Sequence, residues 1–333
     1  MSDVARRAGV SVSTVSHVLN KTRPVAPATV RSVLDAVAET GYVPDPVARA
    51  LDSTGYGTIG LAMSALSNPY FSNVVHGIDR HASAAGYSVL LADTHDEADT
   101  EIKAVSELLR RRVSAIILAA SGDGAQAIRY ADKVDVPVIA IDRFVPAAVD
   151  QVAVDNTEPT AVLVDHLASV GHTRIAMITG RDGLTTTLER RDGYRLGLRR
   201  NSIEADPRYE TDGDSSEEGA EAAVELLLSL PQPPTALVVG NNRMTIGAMR
   251  ALRDADLTVP KDMALVSFDD FEWADLFHPR LTAMAQPALS IGEQAVSMAL
   301  SRITSPTLPP RKVTINPAFM HRESCGCPPF PVA

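Results

Sequence analysis

Between Val12 and His17 the chain reads Val-Ser-Thr-Val-Ser-His. If this stretch is helical, Val12, Ser13, Thr14, Ser16 and His17 face outward, so small hydroxyls and one imidazole stand at the front of a short rod. Such groups exchange hydrogen bonds with base edges, and an exposed polar helix start is what enters a DNA major groove. The bland reading of the same residues is an ordinary amphipathic hairpin.

The flanking residues supply what would position that rod. Val4, Ala5 and Ala8 give a first short helix one apolar face. Gly9 stands where the chain must turn sharply, and glycine takes a left-handed backbone at little cost. Ser11 and Ser13 are candidate caps for the second helix. Val15, Val18 and Leu19 fall at i, i+3 and i+4 and point back at the first helix. A polar, proline-bounded loop over 20–27 leads to a predicted third helix over 27–39. Its apolar face is Val30, Val33, Leu34 and Val37, and Gly41 ends it. A polar, glycine-containing linker follows from Asp52.

Beyond residue 58 short apolar strands alternate with helices. Strands are predicted at 58–63, 88–92, 115–119, 136–141, 175–179, 236–239, 264–268 and 312–316. Helices are predicted at 69–85, 99–111, 159–170, 192–201, 217–230, 244–254 and 291–302. Ile102, Val105, Leu108 and Leu109 share one face of the second of these, and Ala222, Leu226 and Leu227 are in register on the fifth. Two successive βα series imply parallel sheets in two lobes with a cleft between them. Ligands in such sheets bind beyond the carboxyl ends of strands. Those ends here are polar: Ser67-Asn68, Asp93-Thr94, Asp142-Arg143, Gly180-Arg181, Asn241-Asn242 and Asp269-Asp270.

The 333 residues are 45% hydrophobic and 22% charged, ordinary for a soluble globular chain of about two domains. The net charge of −10 would argue against nucleic acid if it were evenly spread. It is not: residues 1–51 hold Arg6, Arg7, Lys21, Arg23, Arg31 and Arg49 against Asp3, Asp35, Glu39 and Asp45. A mildly basic head on an acidic body is consistent with a groove reader whose other part avoids phosphate, and so weakly basic a head points to two copies acting together. Cys325 and Cys327 read as reduced thiols on a terminal tail; only His321 lies nearby in sequence, and no metal or cofactor is expected. With no membrane-length apolar run and no signal-peptide pattern, the expected location is the cytoplasm.

From Asp3 to about Ser324 the chain resembles the lactose-repressor (LacI/GalR) family of transcriptional regulators. The stretch Ser16-His17-Val18-Leu19-Asn20-Lys21-Thr22-Arg23 is similar to the purine-repressor branch. The resemblance implies an all-α helix-turn-helix head (1–44), a hinge helix and linker (45–57) and a periplasmic-binding-protein-like α/β core with parallel sheets (58–333). Lobe 1 would take about 58–156 plus 286–315, and lobe 2 about 157–285 plus 316–333. It places base contacts on Val12, Ser13 and His17, and phosphate contacts on Thr14, Ser16, Asn20, Thr22 and Arg23. Residues 45–51 resemble the family's hinge helix, with Ala48 in its body and Leu51 as the apolar wedge in the minor groove.

On the effector side the resemblance implies Asn68, Tyr70, Phe71, Arg190, Asn241 and Asp269. Phe71 would be an apolar platform, Arg190 and Asp269 a charged donor and acceptor, and Asn241 both donor and acceptor. The run Glu189-Arg190-Arg191-Asp192 also reads as a solvated helix start. Some positions depart from the family. The usual Thr-Ile before the first helix is missing, so Ser2 caps that helix or the start lies upstream. Ala26 replaces a common serine cap, Asp45 a common asparagine, and no aromatic residue stands in 213–216. A purine ligand is therefore not implied, and a sugar-like effector is preferred. The expected function is a dimeric repressor on a palindromic double-stranded operator, switched by that effector and not an enzyme. The alternatives are a two-lobed solute-binding protein without a DNA role, a regulator with a purine-like corepressor, and an enzyme on a doubly wound fold. Gly122-Asp123-Gly124 hints weakly at a phosphate loop for the last of these, but no catalytic constellation accompanies it.

Overall fold

A computed structural model describes residues 1–20, 23–41, 57–64, 68–122, 124–276 and 278–327. The chain divides into two compact units, Met1–Gly57 and Thr58–Ala333.

The first unit holds α1 (Ser2–Ala8), α2 (Val12–Asn20) and α3 (Pro27–Thr40). Gly9 ends α1 at φ 67° and Gly41 ends α3 at φ 61°. Val4, Ala5, Val15, Val18, Val33 and Ala36 form the core. Two expectations need correction here. Ser2 lies inside α1 rather than capping it, and Met1 at the cap position makes no side-chain bond. Leu34 is 51% exposed, because the buried arc of α3 is centred on Val33 and Ala36 and Leu34 falls about 100° from it.

The second unit is two six-stranded sheets with the same winding. The first runs β11-β5-β4-β3-β1-β2 and the second β12-β10-β9-β8-β6-β7. Its strands are β1 (Thr58–Met63), β2 (Ser88–Asp93), β3 (Ala115–Leu118), β4 (Val138–Asp142), β5 (Asp150–Val154), β6 (Ile175–Thr179), β7 (Glu210–Asp212), β8 (Ala236–Val239), β9 (Ala264–Phe268), β10 (Thr282–Ala285), β11 (Lys312–Ile315) and β12 (Ala318–Met320). All pairings are parallel except β10 with β12.

Helices cover both faces of each sheet, as buried parallel strands require. On the first sheet, α4 (Pro69–Ala84) and α11 (Ala288–Thr304) pack one face and α5 (Ala98–Arg110) and α6 (Ala125–Asp132) the other. On the second, α7 (Thr157–Ser169) and α8 (Thr185–Arg200) oppose α9 (Glu217–Leu228) and α10 (Asn242–Asp254). Gly193 and Gly197 let α8 lie hard against α7: a Cβ at Gly193 would stand 2.2 Å from the Thr157 carbonyl oxygen. The chain passes between the sheets three times, at residues 155–156, 286–287 and 316–317. Among the described residues no helix is long and apolar enough to cross a membrane.

Several element expectations shift. The helix predicted at 192–201 begins at Thr185, because the β-branched run Thr185–Thr187 hides a start that tertiary packing of Thr186 and Thr187 enforces. On α9 the buried positions are Ala220, Ala223, Val224 and Leu227, whereas Ala222 is exposed and Leu226 is 57% exposed. β5, β7, β10, β12 and α6 had no sequence expectation; they are three to eight residues long, too short for periodicity to declare them.

Candidate functional site

Two sets of residues stand out, one in each unit. In the first, the Ser11 hydroxyl caps α2 by accepting from the Thr14 N–H at 3.1 Å, and it lies 2.8 Å from both the Ser13 and Thr14 hydroxyls. The front of the helix is thus a connected row of hydroxyls. Val12 is 45% exposed, Ser13 and Arg23 are exposed, and Thr14, Ser16 and His17 are half-buried. Ser13 is the second residue of α2, not its cap. The expectations on Thr22, Ala48 and Leu51, and on the side chain of Asn20, lie outside the described residues.

In the second unit, the carboxyl ends of β1, β4, β6, β8 and β9 surround a cavity of about 300 Å³. Both sheets carry their winding switch there, β1 between β2 and β3 and β6 between β7 and β8, where open α/β sheets bind ligands. Asn68, Tyr70, Phe71, Arg190, Asn241 and Asp269 all line it.

Arg190 is its electrostatic centre. It sits mid-helix on α8, 8% exposed, so the run around it is not a solvated helix start. Its Nε donates to Asn156 Oδ1 at 2.9 Å and its Nη1 to the Gly240 carbonyl at 2.6 Å. Its Nη2 is 3.9 Å from Asp269 Oδ1, and the guanidinium lies over the Phe268 ring at 3.8 Å. This many fixed contacts hold a planar donor fork at the cavity wall.

Asp269 follows β9 with φ 71°. Burial pushes its carboxyl above the usual range, while the Arg190 charge and hydrogen bonds from Gln286 and Asn68 oppose that rise without cancelling it. Gln286 Nε2 donates to Asp269 Oδ1 at 2.5 Å. Both Asn156 and Gln286 belong to segments where the chain crosses between sheets. The cavity's charged pair is therefore tied directly to two of the three crossings.

The two asparagines hold less hydrogen-bonding capacity for a ligand than free amides. Asn68 Oδ1 accepts from the Tyr70 N–H at 3.0 Å as the cap of α4, and Asn241 Oδ1 accepts from the Met244 N–H at 2.8 Å as the cap of α10. Each commits part of its oxygen's accepting capacity to a helix start, and the Asn68 amide also bonds the Asp269 carboxylate. Phe71 serves the first core and the cavity wall together, with its ring 5.0 Å from that of Tyr70.

Another part of the wall is polar. Asp214, Ser215 and Ser216 line it, Ser215 Oγ accepts from the Arg181 N–H at 3.0 Å, and Ser216 caps α9. Asp142, Arg143 and Gln286 also line the cavity. Asp142 and Arg143 were visible in the sequence as a polar strand end, and nothing in the sequence singled out Gln286 as a lining residue. Arg143 is buried against Asp142, with Nε donating to Oδ2 at 3.0 Å. Burial, then the charge of Asp142, raises the Tyr70 phenol well above its usual range, so it remains a neutral hydroxyl. Tyr70 Oη, Arg143 Nη1 and Gln286 Oε1 are buried and have no partner at full hydrogen-bond geometry among the described residues. Arg143 Nη1 lies 3.5 Å from Asp96 Oδ1 and the Tyr70 hydroxyl faces Asp142, so both are weakly satisfied; incompletely paired buried polar atoms are costly, and such a wall fits a ligand rich in hydroxyls or waters that stand in for one.

Residues 1–45 match the model for bacterial regulatory proteins of the lacI family, and residues 164–325 match a periplasmic binding protein-like domain. The ribose operon repressor of Escherichia coli strain K12 is 35% identical, with 97% of this chain and 99% of the relative aligned. The HTH-type transcriptional repressor PurR of Aliivibrio salmonicida is 31% identical over 97% of this chain and 98% of its own length. Among solved structures, the lac repressor dimer bound to operator and the anti-inducer ONPF superposes with a TM-score of 0.86 at 30% identity, covering 97% of this chain and 98% of that one.

Proposed function

The chain belongs to the lacI family of bacterial regulatory proteins, which are DNA-binding transcriptional regulators rather than enzymes, and on that premise we propose that it binds a palindromic operator as a homodimer and is switched by a sugar. The lac repressor relative is a dimer on its operator. A single weakly basic head offers few phosphate contacts, so pairing two heads on one site is the economical route to affinity. Val12, Ser13 and His17 read base edges at the exposed start of α2. Thr14, Ser16, Asn20, Thr22 and Arg23 hold the backbone, and Ala48 and Leu51 belong to a hinge segment that engages the minor groove.

The relatives' names include both a sugar operon and a purine regulator, so the cavity must discriminate. The observation that carries the sugar is the pairing of Arg190 and Asp269 in a cavity of about 300 Å³ whose wall also carries the polar groups of Tyr70, Arg143 and Gln286. Vicinal hydroxyls donate to a carboxylate and accept from a guanidinium at the same time. A planar heterocycle gains most from aromatic faces on both sides. Here Tyr70 and Phe71 supply one side, and the 214–216 segment answers with carboxylate and hydroxyls.

The ties from Arg190 to Asn156 and from Asp269 to Gln286 give the sugar a lever. Hydroxyls competing for that pair re-partner two crossing segments and bias the angle between the lobes. A thermal-shift series on the full chain tests the effector class, since a ligand present at 100-fold its Kd adds about 2.7 kcal/mol to the native state. Stabilisation by a pentose or hexose supports the proposal; stabilisation by a nucleobase and by no sugar refutes it.

A further inference from the structure

A second cluster in the second unit shares no residue with the cavity wall. His166, in the last turn of α7, meets His321, Cys325 and Cys327, which follow β12. One potential ligand atom from each of the four lies within 4.8 Å of all the others. Cys325 Sγ is 3.4 Å from His321 Nε2, and Cys327 Sγ is 3.4 Å from His166 Nε2. A tetrahedral zinc ion with Zn–S near 2.3 Å and Zn–N near 2.05 Å sets its sulfur and nitrogen ligands roughly 3.5 Å apart. The two sulfur–nitrogen pairs already stand near that spacing, and all four atoms lie close enough to converge on one ion.

The backbone holds the cage in place independently of any ion. Ser324 is fully buried, and its carbonyl accepts from the Leu265 N–H at 2.8 Å. Its hydroxyl donates to the Leu265 carbonyl at 2.6 Å and accepts from the Thr282 N–H at 2.8 Å. Gly326, at φ 79°, reverses the chain between the two cysteines, a conformation in which a side chain would be strained, and brings both sulfurs to one side. Cys325 is fully buried, while the other three are half-buried, which leaves a path for entry. Two sulfurs and two imidazoles form a donor set that suits zinc rather than the hard cations.

We propose that His166, His321, Cys325 and Cys327 form a structural zinc site that clips the chain's terminal turn to α7. The set escapes sequence inspection because His166 is remote from the C-G-C motif. Its four ligands close the coordination sphere, so the ion stabilises and does not catalyse.

The test uses the full-length chain purified under reducing conditions. Cobalt(II) added to the metal-free protein should give the visible bands of a tetrahedral site and a sulfur-to-cobalt charge-transfer band. Both should saturate near one equivalent per chain and vanish on adding zinc, as expected for a closed four-ligand site. Cys327→Ser and His166→Asn should each weaken cobalt binding at least tenfold while the circular dichroism spectrum and operator affinity stay unchanged. Stripping zinc should lower the Tm of the parent and leave that of Cys327→Ser alone. Absence of a charge-transfer band in folded, reduced parent protein would overturn the site. So would parental cobalt affinity in both variants.

Discussion

Arg190 Nε donates to Asn156 Oδ1 at 2.9 Å, so a guanidinium at the wall of the cavity is bonded to a residue in the segment that carries the chain from one sheet to the other. On the far side of the same charged pair, Asp269 is bonded to Gln286 in a second crossing. The charged pair at the cavity wall and two of the crossings between the sheets thus share these four side chains.

Arg190→Ala should weaken effector binding by roughly 2–5 kcal/mol, because it leaves Asp269 buried without its charged partner. Operator binding in the absence of effector should persist. Titration calorimetry and operator anisotropy on the same preparation separate the two effects; equal loss in both would mean that Arg190 only supports the fold.

Gln286→Leu should separate binding from response. Asp269 keeps Arg190, so effector affinity should change by about 1 kcal/mol, the ordinary worth of one hydrogen bond. The ratio of operator Kd with and without effector should fall toward one. A variant with parental affinity and a parental ratio would remove Gln286 from the lever.

Asp269 and Asp150 should respond to pH with opposite signs. Burial raises the Asp269 carboxyl, so the folded state holds its proton more tightly than the unfolded chain does. That contribution to stability is present at low pH and is lost as pH rises through the raised folded value. Asp269→Asn should therefore raise the Tm of the unliganded protein at neutral pH while abolishing effector binding. Burial alone would raise Asp150 too, but hydrogen bonds from Arg311 and Arg302 outweigh it and hold that carboxyl low. Its stabilisation is present above the unfolded value and is lost as pH falls through the depressed folded one. Asp150 lies on β5 and Arg311 immediately precedes β11, so Asp150→Asn should loosen the edge of the first sheet and cost roughly 3–5 kcal/mol, the scale for breaking a buried ion pair. Urea melts at two pH values give both signs; a destabilised Asp269→Asn at neutral pH contradicts the first.

Much of this was legible beforehand. Strand ends that read Asn68, Asp142-Arg143, Asn241 and Asp269 are polar punctuation on apolar strands, and the cavity gathers them. Gly9, Ser11 and the Val15–Val18–Leu19 spacing specify the head through local rules alone. Non-local matters stayed hidden. Three threonines masked the start of α8 and so the burial of Arg190. Ala222 and Leu226 look like a core face with Leu227 until packing selects Ala220, Ala223 and Val224 and keeps only Leu227 of the expected three. Helix capping engages the Asn241 oxygen, which composition cannot foresee. His166 became a neighbour of Cys327 only through packing of α7 against the terminal turn.

On the DNA side, His17→Ala should cost roughly 1–3 kcal/mol on the preferred site and relax preference at one base pair per half-site. Selection from a randomised duplex library reads this directly; an unchanged preference at every position would withdraw His17 from base reading.

The most direct test of the whole account is anisotropy of the full-length protein on a palindromic duplex enriched from such a library and on a scrambled duplex, with and without the stabilising sugar, at one stated salt concentration. The account predicts a preference for the palindrome of about 10³ or more and a shift in that affinity of roughly 5- to 150-fold when the sugar is added. Equal affinity for both duplexes, with the sugar present and with it absent, would contradict it.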